Sequence, residues 1–134
     1  MPRYVFTQER IAEVKRKCKE FLKNVPYTKD IKVMYFFLTP IQEIKEGDDS
    51  ADIILYFDDE KISGENEKYR QKRKISSDLR ETLGKDLARV IAVDAISVSS
   101  LRDQALFEED RNGIVNTTIF IKGKEFFFKN VTWF

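Results

Sequence analysis

An α/β fold, helices packed on a mixed β-sheet, follows from three features of the 134-residue sequence. An apolar helical stripe near the start gives way to a strand that is apolar on both faces. Helix-like and strand-like periodicities then alternate in the order αβαβαβα as far as residue 110. The remainder, 111–134, is crowded with aromatics and predicts an added C-terminal β-hairpin. The length suits a single domain over 1–134, divided into a core of 1–110 and the hairpin of 111–134.

Each element has a local cause. Thr7 is placed to cap a helix whose apolar residues fall at Ile11, Val14, Cys18, Phe21, Leu22 and Val25, one face at helical spacing, and Pro26 ends it. Cys18 lies inside that stripe and reads as a buried structural thiol. Residues 31–38 form a strand, apolar on both sides in its second half and therefore central in a covered sheet. Thr39-Pro40-Ile41-Gln42 starts a short helix, with threonine as cap, proline in the first turn and glutamine completing a capping box; Gly47 stops it. Residues 51–57 are the second strand. The polar stretch 64–77 leads into a helix with Ile75, Leu79 and Leu83 inward and Gly84 at its end. Residues 89–93 are a third strand and 100–109 a further helix. Asn112-Gly113 is a turn signal, after which 114–122 and 125–134 flank Gly123 as the two hairpin strands.

Composition narrows the chemistry. Lys plus Arg is 24 and Asp plus Glu 23, so a formal charge of +1 gives no global steering of polyanions, and any nucleic-acid function has to rest on a local patch. With no histidine and a single cysteine, histidine-dependent triads, cysteine-histidine pairs and zinc fingers are ruled out. An enzyme built from this chain would work with carboxylates, lysines and a hard metal such as magnesium. Lacking a signal-like core and any apolar run of membrane-spanning length, the chain is expected in the cytoplasm with no membrane contact.

The candidate site lies where residues 34–57, MYFFLTPIQEIKEGDDSADIILYF, pass from one apolar run through an acidic step into another. Two-metal phosphoryl transfer needs two or three carboxylates converging on one point. Here Asp52 shares its strand face with Ser50 and Ile54, so a carboxylate-x-carboxylate pair is absent. Asp48, Asp49, Asp58, Asp59 and Glu60 stand at the two ends of that strand, positions that fit solvated turns.

In order and spacing, residues 8–110 resemble the minimal nucleotidyltransferases, polymerase-beta-like domains that act as antitoxin partners of HEPN-type RNase toxins. MYFFLT at 34–39 resembles the family's first strand, SADIILYF at 50–57 its second, LRETLGKDLARVIAVDAI at 79–96 its third block, and SSLRDQALFE at 99–108 its closing helix. The resemblance implies a nucleotidyltransferase-like fold, yet the departures fall on functional positions. Leu38 stands for the phosphate-loop glycine, Thr39 for the serine, and Pro40 removes an N–H from the helix start that would cradle an anion. Ser50 falls at the first metal carboxylate, Asp52 at the second, and Arg89 at the third, where a fixed positive charge repels magnesium. One ligand of three is kept. The expectation is a pseudo-enzyme without cofactor that binds a protein partner in antitoxin-like fashion, or assembles with itself.

Two other readings stay open. One is a divergent magnesium-dependent nucleotidyl- or phosphoryl-transfer enzyme using Asp52 with Asp58, Asp59 or Asp94 and a bound nucleotide; Asp59-Glu60-Lys61 is also a nuclease-like D-x-K. The other is nucleic-acid binding through Lys68, Arg70, Lys72, Arg73 and Lys74, with Tyr69 among them. The partner surface is expected on the hairpin, where Phe120, Phe126, Phe127, Phe128, Trp133 and Phe134 crowd two strands.

Overall fold

The computed structural model describes residues 4–39 and 48–134. The Thr7 hydroxyl accepts the Arg10 N–H at 3.2 Å and opens α1 (Gln8–Asn24), which buries Val14, Cys18 and Phe21. Burial pushes the Cys18 thiol up to about 12, so it is a protonated core side chain, as its place in the stripe predicts. A turn of 3-10 helix (Thr28–Asp30) leads into β1 (Ile31–Thr39), and β2 (Ser50–Phe57) returns beside it. Next come α2 (Glu65–Leu83), α3 (Lys85–Val90) and β3 (Ile91–Ser97). The C-terminal part comprises α4 (Val98–Arg102), β4 (Ala105–Leu106), α5 (Glu108–Thr117), β5 (Thr118–Lys122), α6 (Lys124–Asn130) and β6 (Thr132–Trp133). The helix expected to start at Thr39 falls, from Pro40 to Gly47, outside the described residues. No described helix is long and apolar enough to cross a membrane.

The sheet is mixed, in the order β3-β2-β1-β5, with β1 antiparallel to both neighbours and β3 parallel to β2. Both faces are covered. On one, Ile31, Met34 and Phe36 of β1 and Ala51, Ile53, Leu55 and Phe57 of β2 pack under α1, α2 and α3. On the other, Val33, Tyr35, Ile54 and Tyr56 meet α4, α6 and Val131. That second layer covers only part of its face. Towards the end of β1 the same face carries half-buried Phe37 and Asp52 with exposed Ala92 and Asp94, and there the candidate site lies.

The α/β class and mixed sheet agree with the sequence, but the terminal hairpin does not form. Thr118–Lys122 joins the main sheet beside β1, and residues 125–130, expected as strand, lie in α6. The last strand, β6, pairs parallel with β4 instead of folding back on β5. The Asn112-Gly113 turn is likewise replaced, since both residues lie inside α5. Three boundaries also move. The basic run belongs to α2 itself, which begins at Glu65; Arg89 lies in α3 and the third strand starts only at Ile91; the helix expected over 100–109 is divided between α4, β4 and the start of α5.

Helix α6 redirects the aromatics inward. Phe127 is 3% exposed and touches Tyr35, Tyr56, Phe120 and Phe128, while Phe134 is 68% exposed. Phe127→Ala is therefore expected to cost about 3–5 kcal/mol in urea unfolding and Phe134→Ala well under 1 kcal/mol. Similar small losses for both would restore the exposed-hairpin reading.

Candidate functional site

The sheet register brings together part of what the sequence singles out. Phe37 stands opposite Thr118 on one side and Asp52 on the other, and Asp52 stands opposite Ala92, so one row crosses all four strands. At the end of that row is a cleft of about 470 Å³ lined by Thr39, Ser50, Asp52, Arg89 and Arg80 together with Asp48 and Asp49. The hydroxyl of Thr39 donates to Asp52 Oδ2 at 2.8 Å, and Ser50 Oγ donates to the Thr39 carbonyl at 3.1 Å. Thr39, Ser50, Asp52 and Arg89 thus share one site. Leu38, on the opposite parity of β1, is 40% exposed at the strand end, and Pro40 lies outside the described residues.

Arg89 does not float in the cleft. Its guanidinium pairs with the Asp48 carboxylate, whose hydrogen bond and charge hold Arg89 still more firmly protonated. Asp48 is fixed in turn by the Tyr4 N–H at 2.6 Å, and Asp49 by the Phe6 N–H at 3.3 Å. The Arg10 guanidinium lies 4.3 Å over the Tyr4 ring. Residues 4–6 therefore hold the two aspartates that line one side of the cleft, a support that sequence reasoning missed. The available signal was the Tyr4-x-Phe6 alternation, too short to separate from a helix leader.

The carboxylates proposed for an enzyme do not converge. Asp58 and Asp59 follow the last residue of β2, six and seven positions beyond Asp52, which at strand rise is about 20 Å. Magnesium–oxygen bonds are about 2.1 Å, so those residues and Asp52 hold different neighbourhoods. Asp94 comes nearer. It shares the Asp52 face of the adjacent strand, two residues beyond the partner Ala92, a diagonal of roughly 8 Å between backbones. Among the described residues no three Asp, Glu, His or Cys side chains are placed to hold a metal ion.

Asp59 instead holds two elements together. It is 7% exposed and accepts from Ser99 Oγ at 2.8 Å and Ser99 N–H at 3.2 Å, with Lys68 Nζ 3.2 Å away. Burial alone would raise its pKa. The Ser99 and Lys68 hydrogen bonds outweigh burial and hold it below the ordinary 3.8. Lys68 is thereby committed to a structural pair.

The other cations of the run disperse around the helix. Arg70 pairs with Glu67 at 2.8 Å, Lys74 lies 5.3 Å over the Tyr27 ring, and Arg73 lies 5.7 Å over Tyr69. Only Lys72 and Arg73 open onto a common groove, joined there by Arg80. Of the aromatic set, Phe126, Phe128 and Trp133 pack on the second core around Phe127, and Trp133 Nε1 donates to the Phe128 carbonyl at 2.8 Å. Phe134 remains outside, 5.9 Å from the exposed ring of Phe107.

Set beside known proteins, the chain matches no family model, no curated protein and no solved structure.

Asp59 yields a prediction with a defined sign. Its folded-state pKa is depressed, so its stabilisation is complete above 3.8 and disappears as pH falls through the lower folded value. Asp59→Asn should cost on the order of 2 kcal/mol near neutral pH, and the gap to the unaltered protein in urea midpoints should narrow as the pH falls below 3.8. A gap independent of pH would remove the carboxylate's charge from the account.

Proposed function

We propose that the protein is a non-catalytic module, similar in build to the minimal nucleotidyltransferases, that works in the cytoplasm by binding a protein partner in the manner of an antitoxin. Several features support this reading. A helix precedes two antiparallel strands, a long helix ending at Gly84 and a third strand parallel to the second, and the cleft lies at the strand ends where that family carries its chemistry. The observation that carries the reading is the Arg89–Asp48 ion pair. A permanently charged guanidinium, anchored by a carboxylate, sits in the cleft with Asp52, whose own carboxylate accepts the Thr39 hydroxyl. A dication brought there meets two guanidiniums, Arg89 and Arg80, with the Asp48 carboxylate committed to Arg89 and only a single strand-borne carboxylate at the register of Asp52.

A surface of this kind serves recognition better than turnover. The hydroxyls of Thr39 and Ser50, the Asp52 carboxylate and the two guanidiniums offer donors and acceptors around one strand end, against which a partner's polar groups can be matched.

Incubation with labelled ATP and magnesium, alone and with whatever protein co-purifies from the native source, is expected to leave neither chain labelled. A stoichiometric partner should survive gel filtration, and Arg89→Glu should weaken that complex at least tenfold. Label transfer that disappears in Asp52→Ala would return the cleft to catalysis and end the pseudo-enzyme reading.

A further inference from the structure

Among the described residues strand β3 is an edge, with few of the usual protections. All seven of its residues pair with β2 in one unbroken register, and Ile-Ala-Val-Asp-Ala-Ile-Ser contains no proline, lysine or glycine. Edge strands normally discourage further pairing by such residues, by bulges or by being short. The opposite edge shows the contrast: β5 has five residues, a register shift against β1 between Met34 and Tyr35, and a terminal lysine. Ala92 and Asp94 on β3 are exposed. Half the peptide groups of a strand paired on one side point away from its neighbour, so β3 presents a row of backbone donors and acceptors.

Alongside that row, Lys72, Arg73, Ser76, Ser77 and Arg80 of α2 form the wall of a groove of about 410 Å³ whose floor is Asp94 and Ala95. Ala95 faces α2, within the core under that helix, whereas Asp94 belongs to the other face of the strand. The groove is therefore cationic on its helix side. The ion pairs of α2 among the described residues use Lys68 and Arg70, not Lys72, Arg73 or Arg80.

From this we infer that β3 accepts an extended acidic segment of a partner protein as a fifth strand, its acidic side chains on the α2 face against Lys72, Arg73 and Arg80. The backbone row supplies affinity, and the three cations choose sequence and register. A second copy of this chain is a poor occupant. Two β3 edges pairing antiparallel would bring both α2 helices to one face and set the cations of one groove against those of the other. This inference rests on the partner-binding reading for its biological use, but the capacity of the edge is tested separately.

The probe is a fluorescent eight-residue peptide alternating glutamate and threonine, which in a strand places every carboxylate on one face. Anisotropy should show binding that is lost at least tenfold in Arg73→Glu/Arg80→Glu, two exposed positions whose replacement should leave the thermal midpoint unchanged. Methylating alternate peptide nitrogens keeps the charge and removes strand pairing; it should also weaken binding at least tenfold. Three outcomes would overturn the inference: no binding of the parent peptide, equal binding of the methylated one, or tighter binding of an oligothymidylate of equal charge, which would mark a phosphate-binding surface. Failure here without nucleotide transfer leaves the partner-binding reading resting on the Asp52 cleft alone, whereas transfer dependent on Asp52 removes that reading whatever the peptide does.

Discussion

Strand β1 has no face it can show to water. Ile31, Met34 and Phe36 enter one core and Val33 and Tyr35 the other, with Phe37 stacked on Tyr35 at 6.2 Å. Strict alternation would put Ile31 and Val33 on the same side; the register shift between them re-aims the strand and divides its apolar residues between two layers. Such a strand must lie inside the sheet with helices on both sides. α1, α2 and α3 cover one face, and the C-terminal part of the chain has to supply the cover for the other. Its aromatics are therefore a core requirement before they are anything else. Phe127, enclosed by Tyr35, Tyr56, Phe120 and Phe128, contributes to the side of β1 that would otherwise be wet.

That requirement explains where the sequence misleads. Three consecutive phenylalanines, Phe126 to Phe128, carry neither the period of a strand nor that of a helix, and Gly123 before them resembles a hairpin turn. The glycine has a different task. It sits at φ +77°, and a β-carbon there would lie 1.9 Å from the Lys32 carbonyl oxygen, so the chain passes against β1 where only glycine fits. Having passed β1, it turns into α6 and drives Phe127 down. Asn112-Gly113 is a turn signal only when strands flank it. In α5 the Asp110 carboxylate accepts the Phe107 N–H at 3.1 Å and closes the helix start, and Ile114 packs on the second core, which overrides weak local propensity.

The first helix and the first two strands are legible in the sequence because their periods are rigid and their residues strongly apolar. Thr39, Ser50 and Asp52, which the resemblance sets at functional positions, meet at one strand end. Arg89 reaches the same cleft by another route, from the end of α3 and not from a strand, since the chain needs Leu87 and Val90 buried before it can enter the sheet. What no local pattern shows is the support that Tyr4 and Phe6 give to Asp48 and Asp49. Their bonds to Asp48 and Asp49 span more than forty residues, and backbone groups make them, which carry no sequence signature.

The basic run shows how a linear charge count differs from a surface. Five cations within residues 68–74 look like one patch, but on α2 successive residues are turned by about 100°, so the run is distributed around nearly two turns. Lys68 turns inward to Asp59, Lys74 reaches Tyr27, and Arg70 stays with Glu67. Lys72 and Arg73 alone remain beside the sheet edge, and the third cation of that groove, Arg80, comes from two turns further along, outside the run altogether. The electrostatic feature that faces a potential partner is thus set by helical phase and by the place of β3 at the sheet edge, not by the density of lysine and arginine in the sequence.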